Sequence, residues 1–270
     1  MRWLLTVFLG LLLGFASLSS SPALASTPAI FQIAISPAED IGGLRKQAFE
    51  LTRKGQYDLA EVVWTRLTEA LPDEPAVWSN RGNVRVSQNK IEAAINDYDR
   101  AIALDPLQTD PYLNRGAAYE AMGDWQSAID DYNRVLKLSP DEPAAYNNRG
   151  NAKGGQGDWE AALEDYETSI TIQPSFSLGY ANYGIALFEV GNHARSLQVL
   201  KSLARKYPTY ADVRAALTAA LWETGNRGEA ESQWAAARGL DRRYADINWV
   251  KTVRRWPPSL VAGLDHFLRL

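Results

Sequence analysis

The chain has 270 residues, of which 46% are hydrophobic and 22% are charged, with a formal net charge of −4 and no cysteine. The lack of cysteine excludes disulfides, thiolate metal sites and a cysteine nucleophile. Because the charge is small, negative and well mixed, the composition also argues against sequence-independent binding to nucleic acid, which needs clustered lysine and arginine.

The first 25 residues predict a secretory signal. Arg2 is the only charged residue before Glu39, an apolar stretch covers residues 3–18, and Ala23-Leu24-Ala25 follows. A basic start, a short apolar core and small residues at the cleavage site are typical of a Sec-type signal. We therefore expect cleavage after Ala25 and export to a periplasm or a thylakoid lumen, where the protein associates with the membrane or stays free. The alternative is that the apolar stretch stays uncleaved as a membrane anchor.

A linker is expected over residues 26–40, and a 34-residue repeat begins after it. Asn80, Asn114, Asn148 and Asn182 are 34 residues apart, and each stands two residues before a glycine. This interval divides the chain into six frames: 41–74, 75–108, 109–142, 143–176, 177–210 and 211–244. Each frame predicts two amphipathic helices, because apolar residues recur at helical spacing on both sides of a turn signal. Units of this length stack into a solenoid.

The residues that the frames share resemble the tetratricopeptide repeat. Position 4 is aromatic in four frames, positions 8 and 20 are small in most, position 24 is aromatic in five, and position 32 is proline in five; the third frame shows the set as Tyr112, Gly116, Ala128, Tyr132 and Pro140. The resemblance implies an all-α, right-handed superhelical solenoid of about six helix pairs. It also implies a non-enzymatic module whose first helices line a concave face that binds a protein or an extended peptide.

Asparagines at positions 6 and 9 are the candidate peptide-binding residues on that face. An amide both donates and accepts hydrogen bonds, so a row of amides can pair with the backbone of an extended peptide. The alternative is that these side chains bond only within the solenoid. The row consists of Asn80, Asn83, Asn114, Asn148, Asn151 and Asn182.

Charged residues also recur in the repeats. Position 7 holds Arg81, Arg115 and Arg149, whose stems are expected to pack between units while their guanidinium groups reach surface carboxylates. The acidic pairs Asp130-Asp131 and Glu164-Asp165 are interpreted as a solvated outer face. No motif of a catalytic, cofactor or metal site is found, so we expect no enzyme activity, no cofactor and no metal.

Residues 245–270 predict two amphipathic helices that form a basic cap on the last repeat. Trp249, Arg254, Arg255 and Trp256 are a candidate second contact surface, for an anionic membrane or an acidic partner. The stretch 254–258 is similar to the ends of tetratricopeptide proteins of cyanobacteria and the thylakoid lumen. That similarity implies a role in the assembly or maintenance of a membrane-associated complex, which in a photosynthetic source would be a photosystem. The alternative function is a membrane-tethered structural spacer.

Overall fold

The computed structural model describes residues 40–269, so the expected signal and nearly all of the expected linker lie outside the described residues. Every regular element in residues 40–269 is helical. Within this range no helix has both the length and the apolar character needed to cross a membrane.

Twelve helices follow one another as six pairs. The first helices of the pairs begin at intervals of 34 residues, and each helix packs against the next one along the chain. This arrangement confirms the prediction of an all-α solenoid of helix pairs; the handedness of the superhelix stays a prediction. The helices are α1 Ile41–Arg53, α2 Tyr57–Ala70, α3 Pro75–Ser87, α4 Ile91–Leu104, α5 Thr109–Met122, α6 Trp125–Leu138, α7 Pro143–Gly155, α8 Trp159–Ile172, α9 Ser177–Glu189, α10 His193–Lys206, α11 Ala211–Glu223 and α12 Arg227–Leu240.

Close approach of the two helices in a pair depends on a glycine that faces a tyrosine. A Cβ placed on Gly116 would lie 2.6 Å from Cε1 of Tyr132, and a Cβ on Gly150 would lie 2.7 Å from Cε1 of Tyr166. Tyr132 is fully buried at this contact. The missing side chain therefore makes room for the ring, and the ring fills the space between the helices at interior density.

The helices form two layers. Successive first helices contact one another, namely α3 with α5, α5 with α7, and α9 with α11, whereas the second helices do not approach each other so closely. The first helices therefore form the inner layer of the stack. Side chains that point away from the paired second helix line the inner surface.

The C-terminal segment forms the two predicted helical stretches, but the first of them is short and irregular. In place of one continuous helix it forms a 3₁₀ turn, Arg242–Ala245, then the short helix α13, Ile247–Trp249, which continues as a π-helical turn, Val250–Arg254. The last helix, α14, covers Pro258–Leu268 and packs on α11 and α9, the inner helices of the last two pairs. It therefore covers the inner surface there instead of only sealing the end of the stack.

The sequence of α11 explains this placement. All residues from Ala215 to Leu221 are buried, so the helix is apolar on more than one face. A helix that is apolar all round needs neighbours on several sides. The fully buried Leu260 and Leu264 of α14 belong to the same apolar core as α11 and supply that neighbour.

Candidate peptide-binding surface

The asparagine row lies on the inner helices, and all six of its members are half-buried. Asn114, on α5, makes no side-chain hydrogen bond within residues 40–269, so both its amide donors and its carbonyl oxygen are free there. Asn80, on α3, donates to the carbonyl oxygen of Ala76 at 2.7 Å, which leaves its own Oδ1 without a donor in the described residues. These two side chains therefore keep the capacity to pair with a peptide.

The asparagines at position 9 accept hydrogen bonds from buried tyrosines. The Tyr98 hydroxyl donates to Oδ1 of Asn83 at 2.8 Å, and the Tyr166 hydroxyl donates to Oδ1 of Asn151 at 3.0 Å. A buried hydroxyl without a partner would destabilise the fold. The oxygens of Asn83 and Asn151 thus have a structural role, and only their NH₂ groups remain for a partner.

Asn182 joins this internal bonding across two repeats. Its Nδ2 donates to Oδ1 of Asn147 at 2.9 Å and to Oδ1 of Asn151 at 3.2 Å, and Nδ2 of Asn147 donates to Oδ1 of Asn148 at 3.1 Å. The row is therefore mixed. Its members in the second to fourth pairs retain free groups, while its end in the fifth pair is bonded inside the protein.

The arginines at position 7 bond mainly to buried carboxylates, although Arg115 also reaches the exposed Asp99, as the sequence suggested. Arg115 bonds Asp131 through Nε and Nη2, at 2.9 and 2.6 Å, and Arg149 bonds Asp165 at the same distances. Asp131 and Asp165 are only 5% and 4% exposed, so the interpretation of the acidic pairs as solvated was wrong for these two residues, while it holds for the exposed Asp130 and Glu164.

Each of these arginines also bridges two repeats. Nη1 of Arg115 reaches back to Asp99 at 2.5 Å, and Nη1 of Arg149 reaches Asn133 at 2.7 Å, both on the outer helix of the preceding pair. The attraction of Asp131 raises the pKa of Arg115, so this arginine stays charged. A charged fork bonded to two outer helices fixes the spacing of the repeats, and thereby the spacing of the asparagines.

The C-terminal segment is held to the sixth pair by a buried carboxylate. Asp212, at the start of α11 and 4% exposed, accepts hydrogen bonds from the Tyr244 hydroxyl at 2.7 Å and from Trp256 Nε1 at 3.1 Å. It also accepts two from Arg254, at 3.0 and 2.6 Å. Trp256 is buried and Arg254 is paired, so both serve intramolecular packing. Of the four residues predicted as a second contact surface, the half-buried Trp249 and the exposed Arg255 remain accessible.

Arg255 extends from this segment to the third pair. Its guanidinium lies over the ring of Trp125, 4.9 Å from the ring centroid. Trp125 is the first residue of α6. It follows Glu120, which lies near the C-terminal end of α5, by five positions. Farther along, Ser259 donates from both its backbone N–H and its hydroxyl to Glu189 of α9. The chain's own C-terminal segment thus occupies the inner surface of the fifth and sixth pairs and reaches the third.

Glu120 has an unusual electrostatic environment. It accepts a hydrogen bond from the Tyr132 hydroxyl at 2.5 Å, because position 9 of its repeat is Ala117, which has no acceptor. Burial raises the pKa of Glu120 to about 7, while the Tyr132 hydrogen bond and the attraction of Arg255 act in the opposite direction. The carboxyl group therefore titrates near neutral pH.

Sequence reasoning missed both Glu120 and the course of α14. The signal for α14 was present: position 9 of the fifth repeat and positions 6 and 9 of the sixth hold apolar residues in place of asparagine, namely Ile185, Ala216 and Ala219, all of which are buried. An apolar inner face needs a covering element, and α14 is the next amphipathic segment in the chain. No sequence motif marked Glu120, because its hydrogen bond and its pKa depend on Tyr132 and Arg255.

Titrating groups in the described range are not arranged as a metal site. Among residues 40–269 no cluster of three histidine, aspartate or glutamate side chains could hold a metal ion. The two histidines are engaged elsewhere: His193 stacks on Phe188 with ring centroids 4.3 Å apart, and His266 bonds Glu223 at 2.9 Å.

Family models match the central repeats. Residues 110–142 and 143–176 match the tetratricopeptide repeat, and residues 82–123 match a second model described as a TPR repeat. No protein of curated function shows significant sequence similarity to the chain. Tetratricopeptide repeats generally mediate protein–protein interactions and are generally non-catalytic.

Solved structures of repeat proteins share the fold. Pseudomonas aeruginosa pilF has a TM-score of 0.65 at 15% identity, with 75% of this chain and 92% of that chain covered. A tetratricopeptide repeat protein from Parabacteroides merdae has a TM-score of 0.64 at 16% identity, with 86% and 100% covered.

A third similar structure is YrrB, a TPR protein with an unusual peptide-binding site, with a TM-score of 0.53 at 18% identity and 71% and 97% covered. At these identities the structures support the fold only. Together with the family matches over residues 82–176, the helix pairs at 34-residue intervals show that this chain contains tetratricopeptide repeats.

Proposed function

We propose that the protein binds an extended segment of another polypeptide along the inner surface of its second to fourth repeats. The observation that carries the proposal is the row of half-buried amides with free hydrogen-bonding groups on α3, α5 and α7. Asn80, Asn83, Asn114, Asn148 and Asn151 are the contact residues that we assign to this surface. Asn182 supports the row from the fifth repeat through its bonds to Asn147 and Asn151.

The chemistry of the row favours a peptide backbone as its ligand. Free NH₂ groups and carbonyl oxygens at repeat spacing match the alternating acceptors and donors of an extended chain. The arginine forks behind the row hold the repeats at fixed spacing, so binding needs little ordering of the surface. The peptide-binding site named for YrrB belongs to a protein of the same fold and supports the same class of ligand.

Replacing Asn114 and Asn148 together with alanine tests this proposal. Each lost amide contact is worth about 1 kcal/mol, so we expect the affinity for the partner to fall by about tenfold or more. The helix content and melting temperature should stay nearly unchanged, because neither side chain bonds another helix. The measurement is crosslinking and pull-down from the native compartment, quantified against the unmodified protein.

Asn96→Ala is the matched control, since Asn96 is exposed on the outer helix α4. It should leave partner capture unchanged. If the inner double variant captured its partner as well as the control does, the asparagine row would not be the binding surface. A fall in melting temperature with binding retained would assign the row to internal bonding.

We further propose that the protein is exported and assists the assembly or maintenance of a membrane-associated complex, in a periplasm or, in a photosynthetic organism, in the thylakoid lumen. The signal-like residues 1–25 and the resemblance at residues 254–258 support this proposal. Sequencing the mature N-terminus is the direct test. A start at Ser26 is expected; a chain that keeps residues 1–25 in the membrane would favour the tethered spacer.

A further inference from the structure

One end of the inner surface holds an aromatic ring and a carboxyl group close to the same cation. The ring of Trp125 lies flat on the backbone of α7: a Cβ on Gly155 would be 2.7 Å from Cδ2 and Cε3 and 2.8 Å from Cε2 of the indole. A side chain at position 155 would displace the ring. Trp125 is therefore a fixed platform at the edge of the surface that carries the asparagines.

The cation over this platform is the guanidinium of Arg255, at 4.9 Å from the ring centroid. Glu120 also interacts electrostatically with Arg255: the attraction of the guanidinium lowers the pKa of the Glu120 carboxyl group, while burial raises it. An indole face attracts a cation through its quadrupole, and a nearby carboxylate adds a direct charge interaction. The two groups together have the chemistry of a receptor for an arginine or lysine side chain.

The side chain of Arg255 is held only weakly in its position over the Trp125 ring. Its φ is 54°, in the left-handed region that is unfavourable for a residue with a β-carbon. Its side chain is exposed, and within residues 40–269 it makes no hydrogen bond or ion pair. The neighbouring Arg254, in contrast, is paired with the buried Asp212. The Arg255 side chain can therefore leave the ring while Arg254 and Trp256 keep the segment in place.

We propose that Trp125 and Glu120 form a specificity site for a cationic side chain of the bound polypeptide, and that Arg255 fills this site when no partner is present. The inference rests on the proposed function, because it places the site at the end of the asparagine row. Glu120 and Asn114 lie on α5, and Asn151 and Gly155 lie on α7. An extended peptide along the row would bring an arginine to the ring. Partner binding would then displace Arg255, so the arginine acts as an internal competitor.

The test uses four fluorescein-labelled nonapeptides of serine, alanine and glycine with arginine, lysine, citrulline or glutamate at the centre. Their affinities are measured by fluorescence anisotropy for the full chain and for Arg255→Gly, which removes the competitor and suits the positive φ. We expect Arg255→Gly to bind the arginine peptide about tenfold more tightly than the citrulline peptide. The unmodified chain should bind the arginine peptide several-fold more weakly than Arg255→Gly does.

Two further variants test whether Trp125 and Glu120 cause the preference for the arginine peptide over the citrulline peptide. Adding Trp125→Leu or Glu120→Gln to Arg255→Gly should abolish the difference between the arginine and citrulline peptides. Arg269→Gly is the matched control, since Arg269 is exposed and bonds only Asp265 within the described range. It removes one positive charge from the same segment and should bind like the unmodified chain.

The outcomes separate this inference from the proposed function. Equal binding of the arginine and citrulline peptides, with both weakened by Asn114→Ala, would overturn the cationic site and retain the asparagine row. An arginine preference that persists in Asn114→Ala would retain the cationic site and count against the row. No binding of any peptide at millimolar concentration would overturn both.

Discussion

At the scale of single residues, the tyrosine at position 24 decides what the inner surface offers. Its ring fills the space beside a glycine, and its hydroxyl reaches through to the inner surface, where it needs an acceptor. Asn83 and Asn151 supply that acceptor in the second and fourth repeats, and Glu120 supplies it in the third. A packing residue thereby determines which inner groups are free for a partner.

The raised pKa of Glu120 predicts a loss of stability as the pH rises. Burial raises this pKa from the ordinary 4.5 to about 7, so the folded state favours the protonated carboxyl. The stabilising contribution is fully present below about pH 4.5 and is lost as the pH rises through about 7. The groups that face this carboxyl are Tyr132, Tyr166 and Arg255.

Glu120→Gln should remove this pH dependence, because the amide stays neutral and still accepts from Tyr132. Relative to the unmodified chain, the variant should gain stability on the order of 1–3 kcal/mol between pH 5 and 8. Thermal unfolding at several pH values measures the difference, with the exposed Glu92→Gln as control. Parallel pH profiles for Glu120→Gln and the unmodified chain would contradict the assignment.

At the scale of elements, contacts between repeats are of two kinds. In the middle of the stack, arginine forks such as that of Arg115 join an inner helix to the outer helices of its own pair and of the preceding pair. The fifth and sixth repeats have no arginine at position 7 to form such a fork. Tyr183 stands at this position in the fifth repeat, and Leu217 stands there in the sixth. There α14 and the carboxylate of Asp212 hold the last helices.

Asp212→Asn should loosen the C-terminal segment. The change leaves the guanidinium of Arg254 without its charge partner, and we expect a loss on the order of 2–3 kcal/mol, less than for a fully buried pair because the Arg254 side chain is 31% exposed. Urea unfolding gives the stability, and hydrogen exchange should show faster exchange in α14.

Asp110→Asn is the matched control for this prediction. Asp110 occupies the same position of its repeat as Asp212 but is exposed, so its substitution should change stability little. If both variants unfolded alike and α14 kept its protection, the Asp212 cluster would not be what holds the segment.

At the scale of the described unit, residues 40–269, the inner surface has two parts of different chemistry. The second to fourth repeats present amides, while the fifth and sixth present apolar residues such as Ile185 and Ala219, which α14 covers. Only the amide part is open to a partner along its length. The C-terminal segment therefore limits the binding surface, and Arg255 marks where the covered part meets the open part.

The sequence by itself determined the repeat, the helix pairs and the packing positions. A 34-residue period repeats the same local choices: glycine at position 8, tyrosine at position 24, and a turn residue such as Gly123 with φ 78°. These choices depend on neighbours within one repeat or the next, so they are readable from spacing alone. The inner location of the asparagines was implied by the resemblance to the tetratricopeptide repeat.

Only the tertiary structure decided which polar groups are buried and where the C-terminal segment lies. Asp131 looks like a surface acid in sequence and becomes a buried partner of Arg115, because the guanidinium arrives from another helix. Arg255 and Trp125 are 130 positions apart, and no period relates them. The contact of Arg255 with Trp125 depends on how a non-repeating segment folds onto the stack, and a local pattern carries no information about that.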